Sequence, residues 1–244
     1  MTPPPPPSFD GEHGFTLVEM LVTLATGIVV VLATLSVLDI SVSQSSRIAE
    51  RVDADQRARL TMEKIMLELH SSCTAYEATP IGEKSTAEKL EVVSQPSSKA
   101  YLTRVTKHVI AYNEATHTLT DTSFNSTNTL EQLNTPWKFS EIASSTQILM
   151  TGVYKSVVKE GETVKEVVPI FQYFKYVGGG LSGTPMAASP LGKENAENTS
   201  EVTVSFTTAP TSGRTSGDRT VDLSDSAVLR YDPASATGAN EPCA

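Results

Sequence analysis

Apolar positions run almost unbroken from Phe15 to Leu38, and Glu19 is the only charge among them. As an α-helix these 24 residues span about 36 Å, enough to cross a hydrocarbon core of about 30 Å with some tilt. Beyond Leu38 the pattern becomes periodic. Ile48, Val52, Met62, Ile65, Met66 and Leu69 recur at three- and four-residue spacing, and Arg51, Asp55, Arg57, Glu63 and Glu68 fill much of the remainder. No proline lies between Ser8 and Thr79, and Gly27 is the only glycine between Phe15 and Tyr76. The spacing therefore predicts one helix from about Phe15 to Leu69, whose outer half needs a sheet to cover its apolar stripe.

After Ser71 the pattern changes to short runs rich in Thr, Ser, Val, Tyr and Phe, punctuated by prolines. Strands are expected at Leu90–Ser94, Tyr101–Tyr112, His117–Asp121, Gln147–Val158, Thr163–Val168, Ile170–Val177, Glu201–Thr207 and Ala227–Tyr231. Alternation is cleanest where Val202, Val204 and Phe206 face one way and Glu201, Thr203 and Ser205 the other. Lys159-Glu160-Gly161-Glu162 separates two valine-rich runs as a hairpin turn would. Gly178-Gly179-Gly180 through Asn198 is expected to be a long loop. No GK[ST] follows the triple glycine, so a phosphate loop is disfavoured.

The N-terminus carries the most specific chemistry. A carboxylate in a membrane-length helix costs roughly 2.5–3.5 kcal/mol at a bilayer centre on insertion scales, so Glu19 calls for a partner. Ahead of it, residues 1–14 hold five prolines, two acids and no Lys or Arg. A secretory signal peptide would need a basic start, a shorter apolar core and a small-x-small cleavage site. A plain single-pass anchor fits the length but leaves Glu19 unexplained, unless the side chain snorkels to the headgroups from one turn inside the helix.

Gly14 followed by Phe15-Thr16-Leu17-Val18-Glu19-Met20 resembles the prepilin-type processing motif of type IV pilins and type II secretion pseudopilins. The resemblance covers about 25 residues and implies that a prepilin peptidase cuts after Gly14 and methylates the new amine of Phe15. Glu19 then occupies the fifth mature position, where its carboxylate is expected to meet the N-terminal amine of an adjacent subunit. Such a pair in low dielectric serves better as a register device than as a source of net stability. Thr23 and Gly27 form a small-xxx-small pair suited to close helix packing. The leader departs from the family in lacking Lys or Arg, so orientation rests on the cleavage motif and not on charge.

The resemblance implies an α+β, pilin-like fold in which a long N-terminal helix packs on a mainly antiparallel sheet. Its expected divisions are a leader at 1–14, a transmembrane and filament-core helix at 15–38, an amphipathic stalk at 39–72 and a β-rich head at 73–244. The C-terminal two-thirds more loosely resembles J-type pseudopilins and W-type minor pilins, through the run at 168–174 and the late strand at 201–206. Expected partners are a prepilin peptidase, other pilins or pseudopilins, an inner-membrane assembly platform and membrane lipid. The expected location is the inner membrane with the head outside, then a surface or periplasmic filament. Which process the filament would serve is open from sequence.

Composition narrows the functions further. The chain has 244 residues and a net charge of −9, a poor balance for nucleic-acid binding. Lys99, Arg104 and Lys107 are the nearest thing to a basic patch and are expected to be solvated strand residues. His13, His70, His108 and His117 are scattered without metal-ligand spacing, and no G-x-S-x-G is present. Asp218, Asp222 and Asp225 are expected to be solvated loop acids and lack an EF-hand pattern. No catalytic site, metal or cofactor is expected. Of the two cysteines, Cys73 follows the stalk and Cys243 is the penultimate residue. If the head is exported, a Cys73–Cys243 disulfide is favoured over two free thiols.

Overall fold

One α-helix, α1, runs from Leu17 to His70 without a break at Gly27, as the absence of breakers in this stretch predicts. The computed structural model describes residues 15–73, 79–95, 105–127, 137–160, 163–210 and 220–229. The chain divides into two units, Met1–Arg47 and Ile48–Ala244. In the first unit, the helix exposes its large apolar side chains throughout, from Leu17 and Val18 to Ile40 and Val42.

The second unit holds the rest of α1 and the strands. β1 (Lys89–Ser94), β2 (Thr106–Asn113), β3 (Thr118–Asn125) and β4 (Ser145–Thr151) form an antiparallel sheet in chain order. A second sheet is built on β11 (Glu201–Thr208), which pairs along its whole length with β12 (Val221–Val228). The other edge of β11 takes β5 (Val153–Tyr154) and β8 (Phe171–Phe174). Two hairpins complete the strands: β6 (Val157–Glu160) with β7 (Thr163–Val167), and β9 (Tyr176–Val177) with β10 (Gly180–Leu181). A short helix, α2, covers Gly192–Asn198.

One core joins these elements. Met62, Ile65, Met66 and Leu69 of α1 pack with Leu90 and Val92 of β1, Ile110 of β2, Leu119 of β3, and Phe171, Tyr173, Val202, Val204 and Phe206 of the second sheet. The fold is thus α+β, a long apolar N-terminal helix with a mainly antiparallel head, in keeping with a pilin-like architecture. Buried and half-buried positions alternate along β8 and through the first half of β3 and β11, whereas β1 is buried along nearly its whole length.

Several expectations need correction. Ile48 and Val52 are 64% and 48% exposed, whereas Ala54 and Ala58, absent from the expected stripe, are fully buried. The expected strand Gln147–Val158 is three strands, because Gly152 takes φ +73° and separates β4 from β5. A side chain there would also meet the Ala209 carbonyl at 3.1 Å, so both backbone and space favour glycine. The last strand begins at Val221 rather than Ala227, drawn into register by β11. The expected loop after Gly178 contains the β9–β10 hairpin and α2. Ser205, expected on the open face, is buried against Ser224, with the hydroxyls 2.7 Å apart. Gly161 and Glu162 lie outside the described residues, but Glu160 and Thr163 pair across them as the hairpin requires.

Candidate functional site

Gly14 lies outside the described residues, while Phe15 and Thr16 immediately precede α1. The hydroxyl of Thr16 accepts a hydrogen bond from the backbone N–H of Glu19 at 3.3 Å. Thr16 is therefore the cap of the helix and Glu19 stands three positions on, the arrangement of a capping box. A carboxylate in this first turn also sits at the positive end of the helix dipole. Thr-x-x-Glu is legible at 16–19, so the capping role of Thr16 was available from the sequence.

Further along, hydroxyls bond to the helix's own carbonyls. Thr23 donates to Met20 at 2.9 Å, Thr26 to Val22 at 2.9 Å, Thr34 to Val31 at 2.8 Å and Ser36 to Leu32 at 2.9 Å. Each polar group is satisfied locally, which suits a helix surrounded by apolar material. Thr23 and Gly27 share a face by their four-residue spacing. A Cβ placed on Gly27 would meet nothing within 4 Å, so no contact within the chain demands glycine there. Among the described residues, α1 is one helix long and apolar enough to cross a membrane.

At the other end of α1 the chain is stitched to the first sheet. Ser72 bridges to Ser94, Cys73 N–H donates to the Val93 carbonyl at 3.1 Å, and Gln95 N–H to the Ser71 carbonyl at 3.1 Å. Cys73, like Trp137 and Phe139, packs against the small cluster of Val93 and Val105. It is disulfide-bonded; Cys243 lies outside the described residues. Mass analysis of the purified chain is expected to find no alkylatable thiol before reduction. Cys73→Ser is expected to lower stability by about 2–5 kcal/mol, the usual loss for a native disulfide.

A polar cluster lies where the stalk crosses the first sheet. His108 on β2 and Asp121 on β3 are diagonal neighbours, since His108 pairs with Ser123 and Asp121 with Ile110. The Nδ1 of His108 is 3.0 Å from Asp121 Oδ1, and its Nε2 is 3.5 Å from Glu68 Oε2 on α1. Asp121 is buried and also accepts from Gln147 Nε2 of β4 at 3.2 Å, with Lys64 Nζ at 3.7 Å. Glu68 in turn accepts from the Ser94 hydroxyl at 2.7 Å. Burial works against charge on His108, but the Asp121 hydrogen bond and the Glu68 and Asp121 charges outweigh it and hold its pKa above the ordinary value. Burial likewise opposes ionisation of Asp121, and the His108 bond, with Gln147 and Lys64, still keeps its pKa below the usual range. The scattered histidines had hidden this cluster, because only the β2–β3 register brings residues 108 and 121 together.

The remaining sequence candidates do not converge. Lys107 lies over the rings of Phe124 and Phe139, at 5.1 and 5.5 Å from their centres; Lys99 and Arg104 fall outside the described residues. Asp222 and Asp225 belong to strand β12 rather than a loop, and Asp222 accepts a short hydrogen bond from Thr207. Asp218 is outside the described residues.

No protein-family model, curated protein or solved structure matches this chain.

Proposed function

We propose that the chain is a non-enzymatic minor pilin or pseudopilin, processed after Gly14 and assembled through α1 into a type IV pilus or type II secretion-like filament. The observation that carries this reading is Glu19, one carboxylate in the first turn of a helix whose large apolar side chains are all exposed over Leu17–Val42. Exposure on that scale calls for a surrounding apolar phase, first lipid and then neighbouring helices. Glu19 and the freed amine of Phe15 supply opposite charges four residues apart, able to pair between subunits as one enters beside the next. Head-to-tail contacts of this kind need not close, which is what a filament requires. A head of this size suits a priming or tip-proximal subunit.

A second possibility has its own support. The Thr16 cap and the place of the Glu19 carboxylate in the first turn would serve a plain membrane-anchored sensor or adhesive module equally well. Glu19→Gln isolates the charge, because glutamine keeps the capping-box pattern without it. In cells that assemble the filament, Glu19→Ala and Glu19→Gln are both expected to cut incorporation more than about tenfold, the effect of losing as little as ~1.4 kcal/mol. The mature N-terminus should be methylated Phe15 in both. Membrane-bound protein that retains Met1 and stays out of the filament would favour the anchored module, whereas normal incorporation of Glu19→Gln would remove charge pairing as the role of Glu19.

A further inference from the structure

We propose that His108 is a charge-operated clasp: as an imidazolium it ties Glu68 on the stalk to Asp121 on the sheet, and on losing its proton it lets the turn of α1 around Glu68 loosen from the sheet. The geometry favours the charged ring. Both imidazole nitrogens face carboxylate oxygens, at 3.0 and 3.5 Å. Ionised carboxylates only accept, and a neutral imidazole has a single N–H, so one ring nitrogen would then turn a lone pair toward an oxygen.

The groups around the ring decide which contact parts. From α1 come Glu68 and Lys64; from β1, Ser94; from β3, Asp121, with Ser123 opposite the histidine; and from β4, Gln147. With His108 charged, two carboxylates face two cations. With it neutral, this half-buried site carries an uncompensated negative charge, whose desolvation is unfavourable. Asp121 retains the shorter bond to the ring together with Gln147 and Lys64, whereas Glu68 keeps only Ser94. The Glu68–His108 contact is therefore the one released, while Lys64 still ties α1 to Asp121. Ser71–Cys73, just beyond, remains sewn to the sheet through the backbone, and Lys64 holds the turn before, which confines the loosening to the turn around Glu68.

The pH window follows from the shifts. Because the folded pKa of His108 lies above 6.5, its stabilisation is complete below 6.5 and is lost as pH rises through the folded value. Asp121, held below 3.8, contributes above that pH and fails only as acid titrates its folded form.

Urea unfolding of the full-length chain in detergent, followed at a series of pH values across about pH 6 to 9, tests the clasp. The unfolding constant is expected to rise by up to about tenfold per pH unit between 6.5 and the folded pKa. His108→Gln should flatten that rise. In the wild-type chain the His108 ring nitrogens, followed by ¹⁵N NMR, should report an imidazolium persisting above pH 6.5, and amide exchange in the turn around Glu68 should quicken as it titrates. A flat wild-type profile, an unchanged slope in His108→Gln, or a neutral ring below pH 6.5 overturns the proposal. The NMR titration decides the matter even if the substituted chain fails to fold.

Discussion

Ile65→Ala is expected to lower the unfolding free energy of the head by about 2–5 kcal/mol, while Ile48→Ala changes it by no more than about 0.5 kcal/mol. The two isoleucines lie on one helix and contributed equally to the periodic stripe. Ile65 is fully buried among Leu69, Leu90, Val92 and the β11 side chains; Ile48 is 64% exposed. Truncating Ile65 removes buried methyl groups and leaves a cavity that β1 and β11, fixed by their ladders, cannot readily close. Truncating Ile48 only trades one exposed side chain for a better helix former. Urea midpoints measured at constant m in detergent would separate them. Equal losses at the two positions would mean that the stalk packs on the sheet along a different face.

Tyr173 should give the other large effect. Its ring is fully buried and pairs across the second sheet at Val202. Its hydroxyl lies 3.0 Å from the Thr86 carbonyl and 3.1 Å from the Lys89 carbonyl, closing the turn that leads into β1. Tyr173→Ala is expected to cost about 3–5 kcal/mol, the range for losing a large buried aromatic. Tyr173→Phe should cost only about 1 kcal/mol, since both carbonyls also accept backbone N–H groups, Lys89 to Thr86 and Thr86 to Lys89. Thermal unfolding of the two variants side by side measures the ring and the hydroxyl separately. A Phe variant as unstable as the Ala variant would assign the stabilisation to the hydroxyl instead.

The parts of the fold that sequence reveals are those where one physical signal dominates. α1 is legible because its proline-free, glycine-poor stretch leaves no other choice, and its observed end at His70 lies one residue from the expected one. Ala54 and Ala58 escaped notice because alanine has little hydropathy; its burial depends on how closely a strand approaches. Strand β12, Val-Asp-Leu-Ser-Asp-Ser-Ala-Val, has few large apolar residues and owes its existence to eight paired positions on β11, so tertiary pairing overrides weak local preference. Gly152 is visible in the sequence, but not that its positive φ would divide one apparent strand. The same division holds for the sites. The Gly14–Glu19 pattern is local and can be read in a few residues. The Glu68–His108–Asp121 cluster needs a helix, two strands and their register before its members meet.

The inward-turned hydroxyls of Thr23, Thr26, Thr34 and Ser36 bear on how readily α1 changes surroundings. A helix that carries its own polar partners makes no hydrogen bonds to lipid or neighbour that must be broken on leaving. On the proposed assembly reading, the free energy of passage between a bilayer and a bundle of like helices would then depend on shape and on Glu19, the only ionisable side chain between Phe15 and Leu38. Such a rod would be close to indifferent about its apolar host, which on that reading leaves one carboxylate to tip the balance.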